Sequence, residues 1–336
     1  MAAIRPLTFP FTLAVTLLTA LALTTRVQAA EVIRIAVSNI SAGLTPAGGG
    51  VVDVLYGQKR FEAEFAADGV QVQWVFIKGA GPLINEAIAN GQVDLAYIGD
   101  LAAIVGKAGG LDTKVVAAAA RGVNHYLAVR PGSPIRTLAD LKGKRVGLFR
   151  GTAAQLSFIE ALRTANMSER DVQVIHLDFA AATAALAAGH IDATWGGNNA
   201  LALGERGMAD LPLSSKTLPN HAGQLSGVLV VTSTFAAQHP QLLQRVLKVH
   251  RQAAAWASAA ENRDAYIRLQ AEQSAYPQSL IRAELHDADL ATLLSPTLDD
   301  GFVAQLAASA STAYQARLIR QPLNVAPWLE RADNSR

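Results

Sequence analysis

The chain of 336 residues contains no cysteine. This absence excludes disulfide bonds, a thiolate nucleophile and the lipid-modified cysteine that anchors some exported proteins. The chain also lacks an excess of either charge, since 29 basic and 27 acidic residues give a formal net charge of +2. A nucleic-acid partner calls for a strongly basic surface, and we therefore expect none.

Long apolar runs are equally rare, and the longest one lies near the N-terminus. Arg5 precedes an apolar stretch over 9–23, and Val27-Gln28-Ala29 has the small final residue typical of a signal-peptide cleavage site. Pro10 and several threonines interrupt the stretch, which disfavours a membrane-spanning helix of about 20 residues. We therefore predict a signal peptide over 1–29, which exports the protein to the periplasm without a lipid anchor.

The remaining chain alternates apolar strands with amphipathic helices. This order is typical of an α/β fold whose mainly parallel sheets carry helices on both faces. Strands are predicted at 32–37, 70–76, 93–98, 115–119, 125–129, 146–149, 172–176, 191–195 and 227–231. Helices are predicted at 51–67, 83–89, from 101 onward, 152–166, 180–188 and 200–206. Everything after Phe235 is predicted to be a helical C-terminal tail.

One unit of the pattern occurs twice. Glu86–Ala96 and Thr183–Ala193 each consist of a helix, a glycine stop, an apolar residue, an aspartate and the start of a strand. This duplication predicts two similar α/β lobes with a cleft between them. In open α/β sheets, ligands bind beyond the carboxyl ends of the strands. The loops at those ends are therefore the candidate site.

The most informative of these loops follows the strand at 146–149. Gly151 ends the strand and Thr152 begins a helix, so unpaired backbone N–H groups and the positive end of the helix dipole meet at one place. Such a place suits an anion. We therefore predict a site that binds a small anion without transforming it. The candidate ligand-binding residues are Ser38, Asn39, Gly81, Pro82, Gly99, Asp100, Asn124, His125, Gly151, Thr152, Ala153, Trp195, Asn198 and Ser226.

Three segments resemble the periplasmic aliphatic sulfonate-binding proteins of the nitrate/sulfonate/taurine transport family. Gly81–Asp100 is similar to their G-P-x-x-x-E-A-x-x-x-G-x-x-D-x-x-x-x-G-D stretch, Ser133–Lys144 to S-P-I-x-T-x-x-D-L-K-G-K, and Gly189–Trp195 to the start of G-x-V-D-A-x-x-x-W-D-P. The likeness covers roughly residues 31 to 235. Where relatives have G-S-S or G-T-S, this chain has Gly151-Thr152-Ala153 and therefore one hydroxyl fewer.

The resemblance implies a type II periplasmic binding protein with two α/β lobes and a two-stranded hinge near 120–127 and 222–230. Lobe I would contain 30–121 and 228–336, and lobe II would contain 122–227. The protein would capture a small organic anion, most simply an aliphatic sulfonate, and deliver it to the permease and ATPase subunits of an ABC importer. We expect a monomer that needs no cofactor or metal.

Other functions fit parts of the pattern. Nitrate, taurine or a pyrimidine precursor of thiamin could occupy the same fold, although aromatic residues, at 6% of the chain, are few for a pyrimidine site. An enzyme could use His125 or His176 as a base, but neither stands beside a recognisable nucleophile motif. His176 and Asp178 could contact a metal, yet two ligands do not make a metal site.

Overall fold

The computed structural model describes residues 31–330, which form one compact unit of two five-stranded mixed sheets. The predicted signal peptide lies outside these residues. The first sheet contains β1 (Val32–Ser38), β2 (Gln71–Ile77), β3 (Leu95–Gly99), β4 (Thr113–Val123) and β10 (Leu225–Thr232). Their order is β2-β1-β3-β10-β4, with β10 antiparallel to both its neighbours.

The second sheet lies between these segments in the sequence. It contains β5 (Tyr126–Val129), β6 (Arg145–Leu148), β7 (Gln173–His176), β8 (Ala193–Gly196) and β9 (Asp210–Ser214), in the order β7-β6-β8-β5-β9. We call the first sheet with its helices lobe I and the second lobe II. The chain crosses between them at 124–125 and again at 215–224. The expected two-lobe α/β fold is confirmed.

Helices cover both faces of each sheet. Lobe I has α1 (Gly50–Gly57), α2 (Arg60–Phe65), α3 (Ala80–Ala89), α4 (Asp100–Ala108), α8 (Ser233–Gln238), α9 (Pro240–Ser258), α10 (Arg263–Ser274), α11 (Gln278–Leu285), α12 (Leu290–Leu293) and α13 (Asp300–Gln315). Lobe II has α5 (Ala153–Thr164), α6 (Phe179–Ala187) and α7 (Asn198–Glu205). Within 31–330, no helix is both long and apolar enough to cross a membrane.

The structure corrects three details of the sequence prediction. The single helix expected at 51–67 is two, because the chain turns at Lys59, whose φ is 51°. Pro82 is the third residue of α3 and not the first, since the helix already begins at Ala80. Strand β9 was not predicted; it contains Pro212, which cannot donate a ladder hydrogen bond and is tolerated only at a sheet edge.

The duplicated sequence unit corresponds to a duplicated ion pair. In lobe I, the Arg34 guanidinium donates to both carboxylate oxygens of Asp94 (3.0 and 2.6 Å), and the Arg34 backbone N–H donates to the same group. In lobe II, Arg145 makes the same three bonds to Asp192. Each arginine also donates to the carbonyl of the glycine in the repeated unit. The repeated aspartate therefore fastens each sheet at its amino-terminal edge.

We expect Asp192→Asn to lower the free energy of unfolding by about 1–2 kcal/mol, because the substitution removes a charge-assisted bidentate pair. Asp94→Asn should produce a similar loss, since the geometry in lobe I is the same. The matched control is Asp264→Asn, because the Asp264 side chain paired with Arg282 is 67% exposed, compared with 19% for Asp192; exposed pairs contribute little. Urea unfolding midpoints measure all three, and equal losses in the control and the other two variants would contradict the structural role of the pair.

Candidate functional site

In each sheet the strand order reverses at one strand, and the loops of two adjacent parallel strands leave to opposite faces there. In lobe I this point lies between β1 and β3, because α1 packs on one face and α4 on the other. In lobe II it lies between β6 and β8, which are followed by α5 and α7 on opposite faces. Ligands of open α/β sheets bind at such points. The loops that the sequence predicts as the candidate site lie at these two points.

Glycines bring the two lobes into contact there. A Cβ on Gly151 would lie 2.9 Å from Cγ of Pro82, and one on Gly99 would lie 2.7 Å from Cβ of Ala153. Gly151 also has a φ of +79°, which side chains disfavour. Five of the predicted site residues therefore meet where the two lobes touch, namely Gly81, Pro82, Gly99, Gly151 and Ala153. We call this contact the seam.

The seam joins the N-termini of α3 and α5. Neither helix has a side-chain cap or an acidic residue in its first turn. Within the described chain, the backbone N–H groups of Ala80, Gly81, Ala153 and Ala154 have no hydrogen-bond partner, although all four residues are buried. Because each helix end carries roughly half a positive charge, two of them in contact strongly favour an anion.

Two side chains at the N-terminus of α5 make contacts that were not predictable from the sequence. Gln155 Oε1 accepts the Gly151 N–H at 2.7 Å, and Gln155 Nε2 donates to both carboxylate oxygens of Glu169. The Thr152 hydroxyl donates to the Phe149 carbonyl at 2.7 Å, so it does not cap the helix. The donors left for an anion at this corner are therefore main-chain N–H groups beyond Gly151.

Other helix N-termini at the same edge already have a carboxyl group of the protein as their partner. Asp53 Oδ1 accepts the N–H groups of Gly48 and Gly49 before α1. Asp100 begins α4, and its carboxylate accepts from the Leu101 N–H at 2.7 Å and from Ser309 Oγ at 3.0 Å. Burial, together with the nearby Glu160 carboxylate, raises the pKa of Asp100 to about 7. Asp100 is thus occupied by protein groups.

Three predicted residues, at the end of β1, directly after it and at the start of α7, lie at the carboxyl ends of strands. Ser38 and Asn198 are half-buried. The Asn39 side chain accepts from the N–H groups of Ser41 and Ala47 through its Oδ1, so it folds the loop that follows β1. Ser38 and Asn198 thus remain candidates for ligand contact.

The predicted residues near the crossings are more deeply buried. His125 is 4% exposed, and burial lowers its pKa to about 4. Its ring stacks at 6.1 Å on Trp195, whose indole N–H donates to Ser157 Oγ within the lobe II core. The Asn124 side chain donates to Glu284, and Ser226 is 6% exposed. Trp195 is therefore buried in this structure, with its indole N–H already paired within the protein.

Glu284 was missed by sequence reasoning, although it joins the lobes. This α11 carboxylate accepts from Asn124 at 3.0 Å and from Lys216 at 2.9 Å, and it also accepts the Tyr126 hydroxyl. No local pattern marks Glu284, because its partners lie 68 to 160 residues away.

The described residues contain no group of three side chains that could hold a metal. His176 accepts the Arg150 N–H at 3.3 Å and contacts Phe149 through its ring. Asp178 caps α6 by accepting the Ala181 N–H. His176 and Asp178 therefore each make contacts within the protein that stabilise the local structure.

The sequence of this chain matches a known protein family. A family profile described as NMT1/THI5 like matches residues 65–263, which is more than half of the chain. The chain belongs to the NMT1/THI5-like family.

Two curated relatives are named for aliphatic sulfonate binding. The one from Escherichia coli K12 is 35% identical over 124 residues, and the one from Bacillus subtilis 168 is 26% identical over 199 residues. These alignments span 37% and 58% of this chain, and 39% and 58% of the relatives.

The similarity of this protein to solved structures covers most of the chain. A periplasmic sulfonate-binding protein from Methylobacillus flagellatus superposes with a TM-score of 0.75 at 27% identity, over 90% of this chain and 92% of that one. An alkanesulfonate-binding protein from Xanthomonas axonopodis pv. citri, solved with MOPS, gives 0.74 at 26% identity, over 90% and 100%. The desulfurization enzyme DszB shares the fold at 16% identity.

We expect Gly151→Ala to lower stability and to widen the cleft. Gly69→Ala is its matched control, since Gly69 has a similar φ of +68° but no atom within 4 Å of the added Cβ. Both variants should lose about 1 kcal/mol to backbone strain. Only Gly151→Ala should also separate the lobes at Pro82 and increase the radius of gyration in small-angle X-ray scattering. An unchanged radius would show that the seam does not set the distance between the lobes.

Proposed function

We propose that this protein is the periplasmic substrate-binding component of an ABC importer and captures a small organic anion, most simply an aliphatic sulfonate. The observation that carries the proposal is the contact between the N-termini of α3 and α5, neither of which has a cap. Buried N–H groups without partners are costly, and an anion between the two helices would satisfy donors from both lobes.

A sulfonate suits these donors chemically. Its charge is spread over three oxygens, each of which can accept hydrogen bonds from different directions. Four buried N–H groups, from Ala80, Gly81, Ala153 and Ala154, can supply them without a cationic side chain. The names of the curated relatives and the MOPS-bound neighbour support the same class of ligand, because MOPS is itself a sulfonate.

The binding mechanism follows from the position of the donors. Since α3 belongs to lobe I and α5 to lobe II, an anion held by both favours the closed arrangement over the open one. Polar contacts across the lobes, such as Arg163 to Thr312 at 3.0 Å and Lys216 to Glu284 at 2.9 Å, add to closure. We propose that residues 30–121 with 228–336 move as one body and 122–227 as the other, within a monomer.

The remaining parts of the proposal concern location and partners. Export by a signal peptide over 1–29 would place the protein in the periplasm, where its named structural neighbours are found. The closed form would then dock on permease subunits driven by an ATPase. We propose no catalytic role. His125 is neutral and buried, and this chain lacks the cysteine that was changed to serine in one DszB structure.

The direct test is isothermal titration calorimetry with ethanesulfonate, taurine, nitrate and a thiamin-precursor pyrimidine. At least one sulfonate should bind with a Kd of about 1 µM or tighter. Ethyl methyl sulfone is the matched ligand control, because it keeps the shape but removes the charge, and it should not bind. Gly151→Val should abolish binding by closing the approach to the α5 N-terminus, whereas Gly69→Val should retain it.

The outcomes separate the parts of the proposal. Binding of nitrate or a pyrimidine alone would change the ligand class and keep the site. Binding by Gly151→Val at wild-type strength would move the site elsewhere. Absence of heat with every compound would remove the small-anion function.

A further inference from the structure

Gln155 is a buried polar residue in the first turn of α5, next to the proposed anion site. It is 4% exposed and is the third residue of the helix, after Ala153 and Ala154. A glutamine at this position often reaches back to the backbone N–H of the residue before the helix. Here the side chain reaches one residue further, to the Gly151 N–H at 2.7 Å. Gln155 therefore bonds the turn that precedes α5 and leaves the first N–H groups of the helix without a side-chain partner.

The Glu169 carboxylate fixes the orientation of the Gln155 amide. Gln155 Nε2 donates to both Glu169 oxygens, at 3.0 and 3.1 Å. Because an ionised carboxylate can only accept hydrogen bonds, the amide nitrogen must face Glu169 and the amide oxygen must face Gly151. With the amide rotated by half a turn, two acceptors would meet at Glu169 and two donors would meet at Gly151. The three residues therefore form a chain of hydrogen bonds that runs in one direction, from the Gly151 N–H through Gln155 to Glu169.

Glu169 is itself held in place by the segment that follows α5. It is half-buried and begins a short 3₁₀ turn, Glu169–Asp171, whose N-terminus is capped by Ser168. The Ser168 hydroxyl accepts the Arg170 N–H at 3.3 Å, and the Asp171 carboxylate accepts the Ser168 N–H at 2.8 Å. Such reciprocal bonds fix the start of a helical turn. The Glu169 carboxylate is therefore presented to Gln155 from a well-defined position.

Gly151 needs a restraint because its backbone has unusual freedom. Its φ is +79°, in a region that glycine enters and leaves easily. The Thr152 hydroxyl donates to the Phe149 carbonyl at 2.7 Å and so closes the turn around Gly151. Gln155 then holds the Gly151 N–H itself, at the point where Gly151 faces Pro82 of lobe I. A change in the Gly151 backbone would therefore change the direction of the N–H groups that follow it.

We propose that Gln155 is the positioning residue of the anion site and that Glu169 sets its orientation. This role rests on the proposed function, in which the N–H groups of Ala153 and Ala154 bind the anion, whereas Gln155 contacts the turn and not the anion. Because Gln155 satisfies the Gly151 N–H within the protein, the turn keeps one conformation before an anion arrives. Donors that are already ordered bind more tightly, since no conformational entropy is lost at binding.

The first measurement needs no ligand, so its result does not depend on the proposed function. Gln155→Met keeps the length of the side chain and its helix propensity but removes both hydrogen bonds. In NMR spectra, amide hydrogen exchange at Gly151 should become at least about tenfold faster in this variant, and the backbone signals of Ala153 and Ala154 should shift. Glu169→Met should cause a smaller acceleration at Gly151. Glu169→Gln can still accept from Gln155 and should recover most of the protection that Glu169→Met loses.

The second measurement is isothermal titration calorimetry with ethanesulfonate. Gln155→Met should weaken binding by about tenfold, because the donors are no longer ordered beforehand. The matched control is Gln270→Met in α10, since Gln270 is also buried and bonds both the N–H and the carbonyl of Gly50. Both variants should lower the urea unfolding midpoint by similar amounts. Only Gln155→Met should change the affinity for ethanesulfonate.

Exchange at Gly151 that equals wild type in Gln155→Met would overturn the proposal, and so would ethanesulfonate binding at wild-type strength. An equal loss of affinity in Gln270→Met would assign the effect to stability and would also overturn it. If the wild type does not bind ethanesulfonate, the proposed function fails for that anion, whereas the signals of Ala153 and Ala154 still decide whether Gln155 positions these donors. If Gln155→Met does not fold, the two Glu169 variants carry the same test, because Glu169 is half-buried and lies outside α5.

Discussion

The structure depends on one unusual contact, in which two helix N-termini from different lobes meet without an acidic residue between them. The helices α3 and α5 bury backbone donors at Ala80, Gly81, Ala153 and Ala154. Neighbouring α1 and α4 show how the chain treats the same edge elsewhere, since Asp53 and Asp100 supply a carboxylate there. The positive ends of α3 and α5 have no such carboxylate, which is why we propose that an anion from outside the chain binds there.

Stability and binding are assigned to opposite edges of the sheets. The paired arginine and aspartate of each lobe, Arg34 with Asp94 and Arg145 with Asp192, close the amino-terminal edge with bidentate bonds. The carboxyl-terminal edge contains the glycine turns, which have little side-chain bulk and can approach one another. The fold can therefore keep each sheet rigid while the cleft opens and closes.

Closure joins the lobes through charge as well as shape. Glu284 of α11 contacts both crossings, since it accepts from Asn124 at the first and from Lys216 at the second. In the proposed function, an anion between α3 and α5 would add a further attraction between the lobes.

The sequence by itself determined the alternating strands and helices, the duplicated unit and the glycine turn at Gly151, because these features depend on local periodicity and backbone conformation. The sequence analysis missed β9, because Pro212 is atypical of a strand and is tolerated only at a sheet edge. Only the tertiary structure decided that Gln155 occupies the Gly151 N–H, that Trp195 belongs to the core and that Glu284 accepts from both crossings. Those facts depend on which helices pack together, and residues far apart in the chain leave no periodic trace of that packing.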